Sequence, residues 1–247
     1  MDPGFEQDTI ALEERHWWYR GRRRIVRETV SALDLPRPAD ILDAGCGSGR
    51  NLVELAPFGR LTGLEPSHAS AEVARSRGVA EVVESGIEQM PFASESFDLV
   101  LCLDVIEHVA DDVGALGELR RVARPGGRLL VTVPAYQALW SSHDVRNQHR
   151  RRYDRRTLLR AATAARWRPM RTTHFNSLLL PAAAAVRLLD RPSSGNGKNR
   201  SELDRTPERL NWLFELPLRA EAAVLRGGRR IPAGLSLMAV FSADNAT

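Results

Sequence analysis

The chain has 247 residues, of which 43% are hydrophobic and 27% charged, a balance typical of one soluble globular protein. Its two cysteines, Cys46 and Cys102, are too few for a disulfide framework and lack metal-ligand spacing, which favours a cytoplasmic location. The net charge is +4, but only Lys198 among the 35 basic residues is a lysine. We therefore ascribe the excess of arginine to a general compositional bias and not to nucleic-acid binding.

Residues 1–38 are predicted to form an N-terminal helical cap. The segment MDPGFEQDTIALEER lacks the apolar core of a signal peptide, and no apolar run approaches the roughly 18 residues that a membrane span needs. Apolar residues at helical spacing predict a helix over Thr9–Leu33, with Gly21 as a candidate break. Pro36 and Pro38 are expected to end this helical segment.

From Asp40 onwards, short apolar runs alternate with amphipathic stretches, which predicts a doubly wound, Rossmann-like α/β fold over residues 39–247. The predicted strands are Ile41–Ala44, Arg60–Leu64, Ala80–Val83, Phe97–Leu103, Arg128–Val133, Arg168–His174 and Leu235–Phe241. The predicted helices are Arg50–Ala56, His68–Arg77, Asp112–Ala123, Arg155–Ala165, Ser177–Leu189 and Glu208–Leu225. Residues 191–206 are polar and rich in Gly and Ser, and are predicted to form a flexible loop.

A glycine-rich turn follows the first predicted strand. Gly45, Gly47 and Gly49 give the spacing G-x-G-x-G, where a tight turn leads into a helix whose N-terminus carries free amides. Dinucleotide-binding loops have G-x-G-x-x-G, and here Arg50 occupies the place of the third glycine. A nicotinamide-dependent oxidoreductase is disfavoured by this spacing and because a single lysine leaves no evident Tyr-x-x-x-Lys pair.

Two acidic residues accompany this turn. Asp43 ends the strand before it, and Glu65 follows 22 residues later, at the end of the second strand. An acidic side chain at this position can accept hydrogen bonds from the ribose hydroxyls of a nucleoside. The carboxyl ends of these parallel strands are therefore predicted to bind a nucleoside-containing cofactor.

The segment ILDAGCGSGR (Ile41–Arg50), together with Glu65, Pro91–Val109 and Leu119–Ala135, resembles class I S-adenosylmethionine-dependent methyltransferases of the type 11, ubiquinone-biosynthesis-like group. The resemblance covers residues 40–135. It implies a seven-stranded, mainly parallel sheet with an antiparallel last strand, helices on both faces and an N-terminal helical lid. It also implies S-adenosyl-L-methionine as the cofactor and S-adenosyl-L-homocysteine as its product.

The resemblance implies a set of cofactor-binding residues at this site. They are Asp43, Gly45, Cys46, Gly47, Glu65, Pro66, Gly86, Ile87, Leu103 and, from the lid, Trp18. Many relatives have an aspartate where this chain has Gly86, and that carboxylate would accept a hydrogen bond from the adenine amino group. Ile87 can still pack on the adenine ring, and Glu88 is a candidate replacement for the missing carboxylate.

Residues 136–153, after the fifth strand, are predicted to be the acceptor-site segment, because class I enzymes often build that pocket there. A hydroxyl acceptor benefits from a nearby base. The catalytic candidates are His143, His108, His149 and Tyr153. Tyr136, Arg151 and Arg152 are candidates for substrate binding, the arginines either clamping an anionic group or forming a solvated basic run. No metal site is predicted, because His143, Asp144 and His149 have no standard ligand spacing.

The sequence therefore predicts methyl transfer to an oxygen, hydroxyl or carboxylate, of a small molecule by a monomer or homodimer that does not bind nucleic acid. Two alternatives stay open. One is a membrane-peripheral enzyme acting on a lipid- or quinone-like acceptor, suggested by weak surface contact through the apolar Ser177–Leu189 stretch. The other is a methyltransferase fold that serves a non-methylating enzyme or a binding protein.

Overall fold

A computed structural model describes residues 10, 12–181, 184–185 and 211–244 of the chain. Its helices are α1 (Trp17–Ser31), α2 (Arg50–Leu55), α3 (His68–Ser76), α4 (Asp112–Val122), α5 (Ser142–Arg146), α6 (Arg155–Ala164) and α7 (Asn211–Arg226). Its strands are β1 (Ala39–Ala44), β2 (Gly59–Leu64), β3 (Glu81–Val83), β4 (Phe97–Leu103), β5 (Ala123–Pro134), β6 (Arg168–Phe175) and β7 (Ser236–Ser242).

The seven strands form one sheet in the order β3-β2-β1-β4-β5-β7-β6. Strands β1 to β5 pair in parallel, whereas β7 runs antiparallel to both of its neighbours, β5 and β6. The predicted Rossmann-like sheet with an antiparallel last strand is thereby confirmed. The strand order reverses between β1 and β4, so their carboxyl ends flank the crevice where such sheets bind ligands.

Helices cover both faces of the sheet, as predicted. One buried cluster joins the sheet to α4 and α6, and a second joins it to α1, α2, α3 and α7. Strand β4 serves both: Val100 and Cys102 belong to the first cluster, while Leu99, Leu101 and Leu103 belong to the second. This period of two follows from the alternation of side chains along a strand, and it explains why β4 reads as a continuous apolar run.

Helix α1 is not broken at Gly21, and that expectation was wrong. The helix begins at Trp17, because His16 is its N-cap and accepts a hydrogen bond from Trp18 N through Nδ1 at 3.2 Å. A Cβ atom at Gly21 would lie 2.2 Å from Leu218 Cδ1. This glycine therefore allows α1 and α7 to approach closely.

Asn211, the first residue of α7, joins the two helices at their ends. Its Oδ1 accepts a hydrogen bond from Trp17 N at 3.3 Å, and its Nδ2 donates to Arg15 O at 3.1 Å. The side chain is buried, so these bonds lie in the interior of the protein. The N-terminal ends of α1 and α7 are thus joined by hydrogen bonds through the Asn211 side chain.

Strand β5 begins at Ala123 and not, as predicted, at Arg128. The turn Pro125–Gly127 lies within the strand, where the pairing with β4 shifts register between Phe97 and Leu99. The expected flexible loop at 191–206 and part of the expected helix at Ser177–Leu189 lie outside the described residues. Within the described ranges, no helix combines the length and hydropathy required to cross a bilayer.

Candidate functional site

The loop between β1 and α2 depends on its glycines. Gly45, Gly47 and Gly49 have φ values of +82°, +55° and +77°, a region that residues with a Cβ rarely adopt. A Cβ atom at Gly45 would also lie 2.5 Å from a methyl carbon of Val105. The Gly45 amide donates to the Leu64 carbonyl at 2.7 Å. The loop is therefore held against the ends of β1 and β2, at the crevice of the sheet.

Glu65 lies beside this loop, as the sequence predicts. Its Oε2 accepts a hydrogen bond from Gly47 N at 2.9 Å, and its Oε1 accepts one from Ser67 N at 2.9 Å. Two backbone amides thus orient the carboxylate at the end of β2. This position suits an acceptor for two hydroxyl groups of a ribose.

Asp43 is fully buried under the glycine loop. Neither of its carboxylate oxygens has a hydrogen-bond partner among the described residues. Burial raises its pKa from an ordinary value of 3.8 to about 7, with Glu65 and Glu13 adding to the rise and Arg22 opposing it. A buried carboxylate of this kind is suited to a ligand that carries positive charge.

Gly86 and Glu88 occupy the region expected to edge an adenine. A Cβ atom at Gly86 would lie 2.9 Å from Glu88 Oε2, so the Glu88 carboxylate occupies space next to the position of the missing aspartate. Ile87, between them, is 3% exposed and belongs to the first core cluster. The structure is thus consistent with Glu88 as the replacement carboxylate.

Four further residues expected at the cofactor lie around this crevice. Leu103 and Cys46 are buried, Pro66 is exposed and Trp18 is half-buried on α1. The Arg22 guanidinium lies over the Trp18 ring, 5.5 Å from its centroid. Burial raises the pKa of the Cys46 thiol well above its ordinary value, so this cysteine is an uncharged packing residue.

The N-terminal segment covers the glycine loop, where the sequence predicts a lid. The Glu13 carboxylate accepts a hydrogen bond from Ser48 Oγ in the loop, and burial raises the pKa of this carboxyl. Arg22 of α1 forms an ion pair with Asp104, which follows β4, and the distance from Arg22 NH2 to Asp104 Oδ2 is 2.7 Å. Glu13, Arg22 and Asp104 are site residues that the sequence did not single out.

Asp144 organises the segment after β5. It is fully buried, and it accepts hydrogen bonds from Arg152 Nε at 2.7 Å, Arg152 NH2 at 2.8 Å and Ser141 N at 2.9 Å. His149 Nδ1 lies 2.8 Å from Asp144 Oδ1. Burial alone would raise the pKa of Asp144, but the hydrogen bonds from His149 and Arg152 outweigh it and hold this pKa far below its ordinary value.

Three of the four catalytic candidates lie together. The ring centroids of His108 and His149 are 4.9 Å apart, and those of His143 and His149 are 6.3 Å apart. Glu107, directly before His108, is fully buried with neither carboxylate oxygen bonded to a described residue. The fourth candidate, Tyr153, is buried. Its hydroxyl donates a hydrogen bond to Asp112 Oδ2 at 2.7 Å and is therefore already engaged within the protein.

The three candidates for substrate binding have partners within the protein. Arg152 is 5% exposed and is bound to Asp144, while Arg151 forms a 3.0 Å ion pair with Asp112 and donates to two carbonyls before α4. Tyr136 stacks on His174 at 5.5 Å. The Arg151 contacts hold the acceptor-site segment against the loop after β4, and a direct role of these residues toward substrate stays a prediction.

The family "Methyltransferase domain" matches residues 42–131, from β1 to β5. This range contains the glycine loop, Glu65 and the end of β4. Residues 42–131 are therefore similar to the class I S-adenosylmethionine-dependent methyltransferase superfamily. Its cofactor is S-adenosylmethionine, which fits the unpartnered Asp43 carboxylate and the glycine cradle.

Curated relatives agree with this assignment over part of their length. An S-adenosylmethionine-dependent methyltransferase of Mycolicibacterium smegmatis is 32% identical over 131 residues, 52% of this chain and 50% of the relative. An O-methyltransferase of Aspergillus nomiae is 32% identical over 117 residues, 44% of this chain and 52% of the relative. A demethylmenaquinone methyltransferase of a Mycobacterium species is 38% identical over 123 residues, 49% of this chain and 50% of the relative. The chain thus spans about half the length of each of these relatives.

Solved structures share the fold over nearly the whole chain. A methyltransferase in complex with a methyltransferase activator of Haloferax volcanii matches with a TM-score of 0.64 and 18% identity, covering 99% of this chain and 96% of that one. A geranyl diphosphate methyltransferase in complex with S-adenosylmethionine matches with a TM-score of 0.63 and 18% identity, covering 99% of this chain and 92% of that one. At this identity the likeness shows the fold alone.

Proposed function

We propose that this protein transfers the methyl group of S-adenosylmethionine to a hydroxyl oxygen of a small molecule. The observation that carries the proposal is the placement of two imidazoles, His108 and His149, in contact just beyond β4 and beside the cofactor crevice. The name of the Aspergillus nomiae relative, an O-methyltransferase, supports an oxygen acceptor.

The proposed cofactor contacts follow from the positions of the acidic groups. Asp43 faces the amino-acid tail, whose ammonium group stabilises the buried carboxylate. Glu65 accepts hydrogen bonds from the ribose, and Glu88 accepts one from the adenine amino group. Leu103 and Trp18 line the crevice around the tail.

The protein's part in the reaction is alignment, because the cofactor supplies an electrophilic methyl carbon on a sulfonium. Bound S-adenosylmethionine would supply the methyl group to the acceptor oxygen and would leave as a neutral thioether, while the hydroxyl proton of the acceptor would pass to solvent. Glu107, His108 and His149 are the polar groups beside this position. Asp144 holds the His149 ring in one orientation through its 2.8 Å contact with Nδ1.

The test is incubation of the purified protein with S-adenosylmethionine and a panel of phenols, aliphatic alcohols and carboxylic acids. We expect S-adenosylhomocysteine to accumulate in equal amount with a methyl ether, seen by mass spectrometry. A G45V variant, which places a side chain against Val105 and forbids the loop conformation, is the inactive control. Failure of the wild-type protein to bind S-adenosylmethionine in calorimetry would overturn the proposal.

A second candidate acceptor is a lipid- or quinone-like molecule taken from a membrane surface. Four large apolar side chains at the start of α7 are exposed: Trp212 at 61%, Leu213 at 47%, Phe214 at 39% and Leu216 at 44%. A relative named demethylmenaquinone methyltransferase supports this candidate. Co-sedimentation with anionic lipid vesicles, lost in a W212S/L216S variant, is the expected result. Equal sedimentation of the wild-type and variant proteins would exclude this surface.

A further inference from the structure

We infer that Glu107, His108 and His149 form a binding site for a divalent metal ion of the zinc class. Each residue offers one ligand atom, and these atoms all lie within 4.8 Å of one another. The spacing in the chain conceals this site, because His149 comes from the segment after β5 whereas the other two follow β4. The two segments are joined there by a hydrogen bond from Arg150 N to Glu107 O at 2.8 Å.

Glu107 is the strongest indication of a missing partner. Its side chain is fully buried, and neither carboxylate oxygen has a hydrogen-bond partner among the described residues. Buried carboxylates are normally paired, hydrogen-bonded or bound to a metal. A cation between the three ligands would supply the compensation that this carboxylate lacks.

The nearby arginines do not supply it, because each is bound to another carboxylate. Arg22 NH2 lies 2.7 Å from Asp104 Oδ2, and Arg152 Nε lies 2.7 Å from Asp144 Oδ1. Both arginines act on Glu107 only as weaker, more distant charges. Among the described residues, therefore, no arginine forms an ion pair with Glu107.

The two histidines are already oriented as metal ligands. The ionised Asp144 carboxylate accepts from Nδ1–H of His149, which leaves Nε2 of that ring as the ligand atom. The His108 ring is hydrogen-bonded to the backbone of Asn147 and Gln148. A carboxylate or carbonyl behind each imidazole is the usual arrangement around a bound metal, where it fixes the tautomer and the ring orientation.

Two imidazoles and one carboxylate suit zinc and similar divalent ions. Three protein ligands leave one tetrahedral position for water or for an acceptor oxygen. A role in catalysis rests on the proposed function: coordination of the acceptor hydroxyl would lower its pKa, so that its proton passes to solvent before the O–C bond forms. The ion would be neither oxidised nor reduced in this step.

Calorimetric titration of chelator-treated full-length protein with Zn²⁺ tests the site. We expect one ion per chain, with affinity lowered at least about a hundredfold in H149A and in E107Q, and about 10–100-fold in D144N, which removes the support behind His149. The matched control is H68A, because His68 lies on the surface beside Glu84 and Glu72. Co²⁺ absorption in the visible range gives a second readout of ligand number.

The outcomes separate the two proposals. S-adenosylhomocysteine binding, measured on the same samples, reports that each variant is folded and that the cofactor site works. If wild-type protein binds this nucleoside but no Zn²⁺, the metal site is refuted while the methyltransferase proposal stands. If H68A alone abolishes Zn²⁺ binding, the ion binds at the surface and the inference fails. If Zn²⁺ binds as expected but the nucleoside does not, only the proposed function fails.

Discussion

Cofactor affinity is expected to depend on pH through Asp43. Burial raises the pKa of Asp43 to about 7, and the cationic tail of the cofactor favours the ionised carboxylate, so binding lowers this pKa. Affinity is therefore full above about pH 7 and falls as the pH drops through that value, because protonated Asp43 must first lose its proton. Between about pH 8 and about pH 6 the dissociation constant should rise about tenfold, or about 1.4 kcal/mol.

Titration calorimetry with S-adenosylhomocysteine measures this dependence, in pairs of buffers that differ in ionisation enthalpy. Close to one proton should be released on binding near pH 6, and almost none near pH 8. D43N should bind more weakly, with a flat pH profile. The matched control is D40N on the same strand, because Asp40 is ion-paired with Arg60 and Arg124 away from the site. An unchanged tenfold slope in D43N would refute the role assigned to Asp43.

The same substitution should stabilise the free protein. Because the native pKa of Asp43 lies above its ordinary value of 3.8, the stability present at low pH is lost as the pH rises towards about 7. Asparagine avoids this ionisation. In urea unfolding near pH 8, D43N is expected to gain up to about 4 kcal/mol, less the cost of unpaired amide groups. An equal free energy of unfolding of the wild-type protein and D43N near pH 8 would contradict a buried, ionised carboxylate at Asp43.

Two further predictions concern single contacts. E88A should weaken S-adenosylhomocysteine binding about tenfold. Adding G86D to this variant should restore most of the affinity, because a carboxylate returns to the same edge of the adenine. If the double variant binds no better than E88A, the adenine lies elsewhere. R152M should lower the free energy of unfolding by about 3–5 kcal/mol, since it removes the arginine that is paired with the buried Asp144 carboxylate. R151M, at a partly exposed ion pair, should cost less than about 1 kcal/mol in the same urea titration, and equal costs would refute the assignment.

The cofactor half of the site could be predicted from sequence because it is local. A strand, a glycine turn and a helix are contiguous in the chain, so the spacing of Gly45, Gly47 and Gly49 already encodes the geometry. Glu65 follows from the same logic one strand later. Except at β5, which begins at Ala123 and not at Arg128, the strand boundaries lie close to the predicted ones, since apolar runs bounded by turn residues decide them.

The acceptor half could not be predicted in the same way, because it depends on contacts between distant segments. Nothing in the sequence near His149 indicates that His108 lies against it. A signal for Asp144 was present in Ser141-x-x-Asp144, the spacing of a capping box that the structure contains. Glu107 gave a weaker indication from sequence, as the acidic residue among the apolar residues Val105, Ile106 and Val109.

The error at Gly21 has the same origin. Glycine is a poor helix former, so a break is the sensible expectation from sequence alone. In the structure its missing side chain provides room for Leu218, nearly two hundred residues away along the chain, and tertiary packing outweighs the local propensity.

The pairing of α1 with α7 has a consequence for biosynthesis. During translation the glycine loop and Glu65 leave the ribosome before Asn211, which joins α7 to α1 by accepting a hydrogen bond from Trp17 N. The lid residues Glu13 and Arg22 belong to the N-terminal segment that packs on α7. In a nascent chain the glycine loop is therefore present before the lid over this loop can be held in place. Productive cofactor capture is therefore expected only after α7 has been synthesised and has packed on α1.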